Sequence, residues 1–354
     1  MNYIVSFDIL RFIAVLLVLV WHWIPETNFI NYPINGRIGV VLFFVLSGYL
    51  ISSGLAADSI KKTKIKTLLS FYLKRFLRIF PIYYLLLLIL LIINYESFRE
   101  KQFWYWFYAS NIYEELGNKH VAYLVHTWTL AIEEQFYLIW PVIFLLAGSA
   151  KRNILIYAVS IISIGFYIYS SVSPLKLFCY ISSFKFFFCF SLGALLAFDA
   201  NFFSFFQRKS IGLMVIVLTV WVLRIFHGGN IPYGLQLFAL DFSFTLLALV
   251  VISNCIKYDH IVQKKATLLS PFIFIGKISY GVYLYHYLMY PFYHFLHMFS
   301  IKYNIRVPII NSILFPEFQN PFIRFFVFFV LAVMVSMVSY RFIEKPLLRL
   351  KKRI

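Results

Sequence analysis

Residues 71–93 read FYLKRFLRIFPIYYLLLLILLII. From Ile79 to Ile93 there is no charged side chain. As a helix rising 1.5 Å per residue, the stretch reaches about 34 Å, enough to cross a hydrocarbon core of roughly 30 Å. Apolar and polar residues do not alternate over roughly ten positions, as a membrane-barrel strand requires. The start is basic: Lys74, Arg75 and Arg78, with Pro81 one turn later. Arg75 and Arg78 are three apart and share a helix face. Such residues either snorkel to the inner interface or act together as a forked clamp for phosphate.

Runs of the same kind recur at 5–24, 38–56, 124–147, 153–172, 177–198, 211–226, 234–254, 271–299 and 321–341. The sequence therefore predicts an all-α, polytopic integral membrane protein of about ten transmembrane helices, in one membrane-embedded domain over 1–354. An eleventh crossing at 103–113, FWYWFYASNIY, is the alternative; its Trp and Tyr content favours an interfacial or re-entrant piece. Composition agrees: 62% of residues are hydrophobic, 13% are charged, and mean hydropathy is +0.82. That excludes a water-soluble domain, a disordered chain and a disulfide-built module. No inverted repeat with matched broken helices marks a secondary transporter.

The net charge of +18 comes from 32 Lys and Arg against 14 Asp and Glu. Among ten spans with the N-terminus inside, 20 of these bases fall in inner segments and 8 in outer ones. Arg11, Lys185, Arg224 and Lys277 fall within spans. The bias places both termini in the cytoplasm of a cell inner (plasma) membrane protein and turns the loops near Gly228 and Asn304 outward. The excess charge reads as topology and anionic lipid contact, not as nucleic acid binding. Cys179, Cys189 and Cys255 lack metal spacing, and no metal is expected. No small-x-small cleavage site follows the first apolar run, which is read as a retained span.

Ionisable residues at membrane depth are costly and few. In the first span, Arg11 and His22 are 11 residues apart, on one face and about 16 Å apart along the axis. His22, between Trp21 and Trp23, is either part of an aromatic belt or a general base. The fourth span carries Glu133 and Glu134 side by side. Helix neighbours point about 100° apart, so one glutamate can orient a histidine while the other pairs with an arginine, or either can form a structural ion pair. The ninth span offers Lys277, Ser279, Tyr280 and His286, with Ser279 and His286 two turns apart. Ser47 and Gly48 form a small-residue patch suited to close helix contact. Glu344 is expected to pair with neighbouring bases.

Taken in order, these fragments form a pattern. Asp8, Arg11 and His22 come first, then FFVLSGYL over 43–50, K-R-x-L-R-I-x-P from Lys74 to Pro81, and W-x-L-x-x-E-E-Q-F-Y-L-x-W-P from Trp128 to Pro141. G-K-I-S-Y-x-x-Y-L-x-H from Gly276 to His286 and F-I-E-K-P from Phe342 to Pro346 complete it. The chain resembles the membrane acyltransferase-3 family, integral-membrane O-acyltransferases of the O-antigen and exopolysaccharide acetylase type. It departs at FDILRFIA, where Ile9 and Phe12 replace the usual glycines, and at Ala131, where the family usually has serine.

The resemblance implies a cytoplasmic acyl-CoA donor, most often acetyl-CoA, and a polysaccharide or lipid-linked glycan acceptor on the far side. It implies essential roles for Arg11, His22, Arg75 and Arg78. Arg75 and Arg78 are then the donor-phosphate site, and His22, Glu133, Glu134 and Arg11 the catalytic set. Ser279, Tyr280 and His286 are the acceptor site. The chain stops at Ile354 without the SGNH domain that some members carry, so a second transfer step is expected to need a separate protein. A glycan transporter or flippase, in which the same residues form a relay, is the competing class, and a membrane sensor or scaffold the third.

Overall fold

The computed structural model describes residues 3–24, 36–118, 121–172, 182–227, 232–302 and 320–350. The outward loops expected near Gly228 and Asn304, the start of the sixth run at 177–181, and Cys179 lie outside the described residues. Among the described residues every regular element is helical. Six helices are long and apolar enough to cross a membrane: α1 (Ser6–Trp23), α2 (Arg37–Lys61), α3 (Lys64–Ile93), α6 (Thr127–Val172), α10 (Tyr233–Lys264) and the segment Pro321–Leu350. The protein is an all-α membrane protein.

The ten apolar runs map onto these six helices and several shorter ones, with three differences. The fourth and fifth are joined in the 46-residue α6, which breaks at Gly148 (φ 65°, ψ −173°), a backbone conformation that glycine adopts readily. The chain doubles back there. Against α7 (Phe187–Phe198), Phe136 meets Phe190 and Phe144 meets Phe198 on the first arm. On the second arm Asn153 donates to the Phe198 carbonyl and Ser160 meets Ser191. The first arm runs parallel to α7 and the second antiparallel. The sixth run bends by 101° into α8 (Ala200–Arg208), whose first turn is capped by the Asp199 carboxylate accepting from the Phe202 amide at 2.9 Å. The ninth run is broken into α11 (Ser270–Lys277), α12 (Ser279–Tyr285), a single 3-10 turn at His286–Leu288, and α13 (Met289–Lys302). α9 (Ser210–His227) lies between α8 and α10 in the chain.

The aromatic stretch after α3 forms α4 (Phe98–Trp106) and α5 (Ser110–Glu115). It descends along α3: the Arg99 guanidinium donates to the Leu91 carbonyl, Tyr84 to the Trp106 carbonyl, and Tyr108 stacks on Tyr83 at 4.4 Å. It then returns, and the Ala122 amide donates to the Glu96 carboxylate at 2.6 Å. A crossing at 103–113 would put a bilayer between Glu96 and Ala122.

The helices around the centre approach closely. A Cβ on Gly48 would sit 1.9 Å from the Phe190 carbonyl oxygen, and one on Gly193 2.1 Å from that of Val45. The small-residue patch of α2 thus seats α7, and small residues at such crossings replace the hydrophobic drive that lipid cannot supply. The last long helix, α14 (Pro321–Ser339), is capped by Asn320, and a π-turn at Tyr340–Glu344 joins it to α15 (Lys345–Leu350).

Candidate active site

Two polar compartments lie inside the bundle. The first is a cavity of about 100 Å³ between α1, α2, α3, α6 and α12. Arg11, Arg75, Arg78, Glu133, Ser279 and Tyr280 all line it. Local geometry explains the convergence on α3: the three-residue step puts both guanidinium groups on one face. Arg11 is held by Asp8, one turn before it on α1, and Asp8 also accepts from Tyr3. The glycines missing from α1 are answered across the contact. Phe12 packs on Phe272 at 5.1 Å, and Gly276 of α11 lets Asp8 approach so closely that a Cβ would fall 1.8 Å from its carbonyl oxygen.

Glu133 accepts from Tyr137 at 3.2 Å and from Ser47 at 3.5 Å, and those two hydroxyls meet at 3.2 Å. The Arg75 guanidinium lies 4.9 Å from the centre of the Tyr137 ring and 5.6 Å from that of Phe71. Among the described residues, neither Arg75 nor Arg78 makes a hydrogen bond or ion pair. Two guanidinium groups beside a small cavity, with no bonded counter-ion among the described residues, have the donors to hold an anion. Glu344 does not pair with Arg341 or Lys345. Its carboxyl is buried under α12, with Oε1 lacking a hydrogen-bond partner, and its charge acts on Arg78. The reason is the π-turn, which carries Glu344 off the exposed face that its basic neighbours share.

Glu134 faces elsewhere. It lines a largely apolar groove of about 560 Å³ between α3, the re-entrant residues Phe107 and Tyr108, and α6. Arg75 and Tyr137 border both spaces. The 100° step between neighbours has split the two glutamates as the sequence implied.

The second compartment is a histidine cluster. The His22 ring lies 5.2 Å from that of His286, which is 4.6 Å from that of His126. His22 Nδ1 shares a hydrogen with the Tyr287 hydroxyl at 2.7 Å, and its carbonyl accepts from Tyr290. Neither glutamate hydrogen-bonds His22; Tyr287 takes the orienting place assigned to them. The length of α12, about 10 Å of rise, separates Ser279 at its start, on the arginine cavity, from His286 just past its end, in the histidine cluster. Tyr283 is the wall between the compartments. Its ring lines the cavity, its hydroxyl meets Thr129 at 2.6 Å, and its carbonyl accepts from His286 Nδ1 at 2.5 Å.

Sequence reasoning did not single out His126, Tyr137, Tyr283 or Tyr287. Tyr137 had a signal, since it stands four residues beyond Glu133 and so one turn away on the same face. His126, at the end of a turn, had none.

A family profile described as an acyltransferase domain matches residues 4–341. The chain belongs to the acyltransferase-3 family. OatA, the O-acetyltransferase of Staphylococcus aureus strain NCTC 8325, is 27% identical over 380 residues, covering 98% of this chain and 57% of OatA. OatA of strain COL matches to the same extent. The chain thus spans little more than half the length of these relatives. No solved structure matches it significantly. In this family member, the residues the resemblance singled out fall into the two compartments: Arg11, Arg75 and Arg78 in one, His22 in the other.

Proposed function

We propose that this chain moves an acyl group, acetyl in the first instance, from acyl-CoA on the cytoplasmic side to a hydroxyl of a polysaccharide or lipid-linked glycan on the far side. The observation that carries the reading is the convergence of Arg75 and Arg78, without bonded counter-ions, on one internal cavity with Arg11 and Glu133. Donor phosphates are held at the mouth of that cavity by Arg75 and Arg78. The cavity suits a two-carbon acyl group and not a nucleotide, so the pantetheine arm must carry the thioester inward. The S. aureus relatives, named O-acetyltransferases, support acetyl as the group moved. The 20 to 8 excess of bases on one side supports cytoplasmic termini in the plasma membrane.

His22 takes the proton of the acceptor hydroxyl. The oxygen attacks the thioester carbonyl, the carbon–sulfur bond breaks, and the same proton neutralises the departing thiolate, so none is gained or lost overall. Tyr287 fixes the ring of His22, as a base needs a partner to set its tautomer. Ser279 and Tyr280 line the acceptor's path.

Membrane vesicles of defined sidedness test this. Inside-out vesicles should consume labelled acetyl-CoA and form ester on glycan, and right-side-out vesicles should not. His22→Ala, at normal abundance, should lower the rate by at least about 100-fold, the usual range for losing a general base. Wild-type turnover in that variant would remove His22 from the chemistry. A transporter would leave acetyl-CoA intact in every arm.

A further inference from the structure

The hydrogen bonds of the histidine cluster fix two tautomers. His126 Nε2 lies 3.1 Å from the Leu284 carbonyl oxygen, and His286 Nδ1 lies 2.5 Å from that of Tyr283. A carbonyl only accepts, so each of these nitrogens carries its ring's hydrogen. A second hydrogen on either ring would make a buried cation with no bonded counter-ion. His126 Nδ1 and His286 Nε2 are therefore bare lone pairs.

Both lone pairs are buried and, among the described residues, neither has a hydrogen-bond partner. The residues are 1% and 0% exposed, and the rings are 4.6 Å apart. The hydroxyls around them make their hydrogen bonds elsewhere: Tyr287 with His22, Tyr283 with Thr129, Tyr290 with the His22 carbonyl. Neighbouring Trp23 Nε1–H is also buried and unpartnered, with its ring 6.2 Å from that of His286. The cluster offers two acceptors and one donor, which suits two O–H hydrogens, from neighbouring hydroxyls or from one water. Among the described residues, no group of three His, Cys, Asp or Glu is arranged to hold a metal ion.

We propose that His126 and His286 form, beside His22, a hydroxyl-binding subsite in which His126 Nδ1 and His286 Nε2 each accept a hydrogen bond from an O–H hydrogen, brought by neighbouring hydroxyls of the acyl acceptor or by a water. The assignment rests on the hydroxyl-transfer reading above. It gives His126 a role in holding the acceptor, and it explains why three imidazoles meet inside the bundle.

Amide isosteres test the geometry. His126→Asn keeps an acceptor near Nδ1, and His126→Gln keeps only the donor near Nε2. At 286 the roles cross: Gln keeps the acceptor near Nε2, and Asn keeps only the donor near Nδ1. With purified protein, labelled acetyl-CoA and octyl glucoside as acceptor probe, His126→Gln and His286→Asn should each raise the KM for the glucoside about tenfold above its partner variant. The KM for acetyl-CoA should stay the same. If the occupant is water, the same ranking should appear in acetate release without acceptor. The reverse ranking, or none, would overturn the subsite and leave the histidines to their carbonyl bonds. Nitrogen-15 spectra of the imidazoles in wild-type protein supply a readout that needs no turnover. His126 Nδ1 and His286 Nε2 should appear as hydrogen-bonded acceptors, and a bound proton on either would overturn the proposal. Acceptor signals in a protein that transfers acetyl to nothing would instead remove the acyltransfer reading and leave the subsite.

Discussion

Two partly buried arginine sites in this protein differ in one respect. At the start of α2, Arg37 grips Asp241 of α10 through two nitrogens, at 2.8 and 2.5 Å, and the Tyr167 hydroxyl donates to the same carboxylate at 2.6 Å. The guanidinium also lies within 6 Å of the Trp128 and Phe186 rings. At the cavity, Arg75 and Arg78 have aromatic neighbours and a nearby glutamate but no bonded counter-ion. The first site is closed on itself and braces α2 and the second arm of α6 against α10. The second has hydrogen-bonding capacity left over, which is open to a ligand. Burial of charge alone does not separate a brace from a binding site; completion of the charge's partners does.

The largest effect should come from breaking the brace. Arg37→Met or Asp241→Leu alone leaves its partner charged and unpaired, at a cost of about 3–5 kcal/mol. Thermal unfolding of the detergent-purified protein should show a large drop for each single variant and recovery of most of it in the double variant. Single variants as stable as wild type would end the distinction between the two sites. An intermediate effect is expected at the cavity. Arg75→Ala and Arg78→Ala should leave the unfolding temperature near that of wild type, and each should weaken acetyl-CoA binding by about 1.5–3 kcal/mol, or about 10- to 150-fold. Titration calorimetry with acetyl-CoA decides this, and unchanged affinity in both would return the arginines to a topological role. The smallest effect should follow Tyr137→Phe, which removes one donor to Glu133 and leaves Ser47. Donor affinity should fall about 2- to 13-fold, the range for one neutral hydrogen bond, with stability unchanged. A loss of stability instead would make the Glu133–Tyr137 pair a second brace.

What the sequence determined by itself is whatever follows from one helix. The apolar runs fixed an all-α membrane protein, because hydrocarbon leaves the backbone no partner but itself. The three-residue step of Arg75 and Arg78 put both on one face, and the 100° between Glu133 and Glu134 sent them into separate spaces. The order of six motifs pointed to the acyltransferase-3 family. Contacts between helices were decided only by the tertiary structure. Glu133 joined the arginine cavity and not His22, because α2 brings Ser47 beside it. Asp241, a lone acid in an apolar run, became the partner of an arginine 204 positions earlier in the chain. His126 joined His22 because the 3-10 turn after α12 places His286 between their rings. Periodicity fixes which side chains share a face; which face meets which depends on close approaches such as Gly48 against Phe190, and those belong to the packed bundle and to no single stretch of sequence.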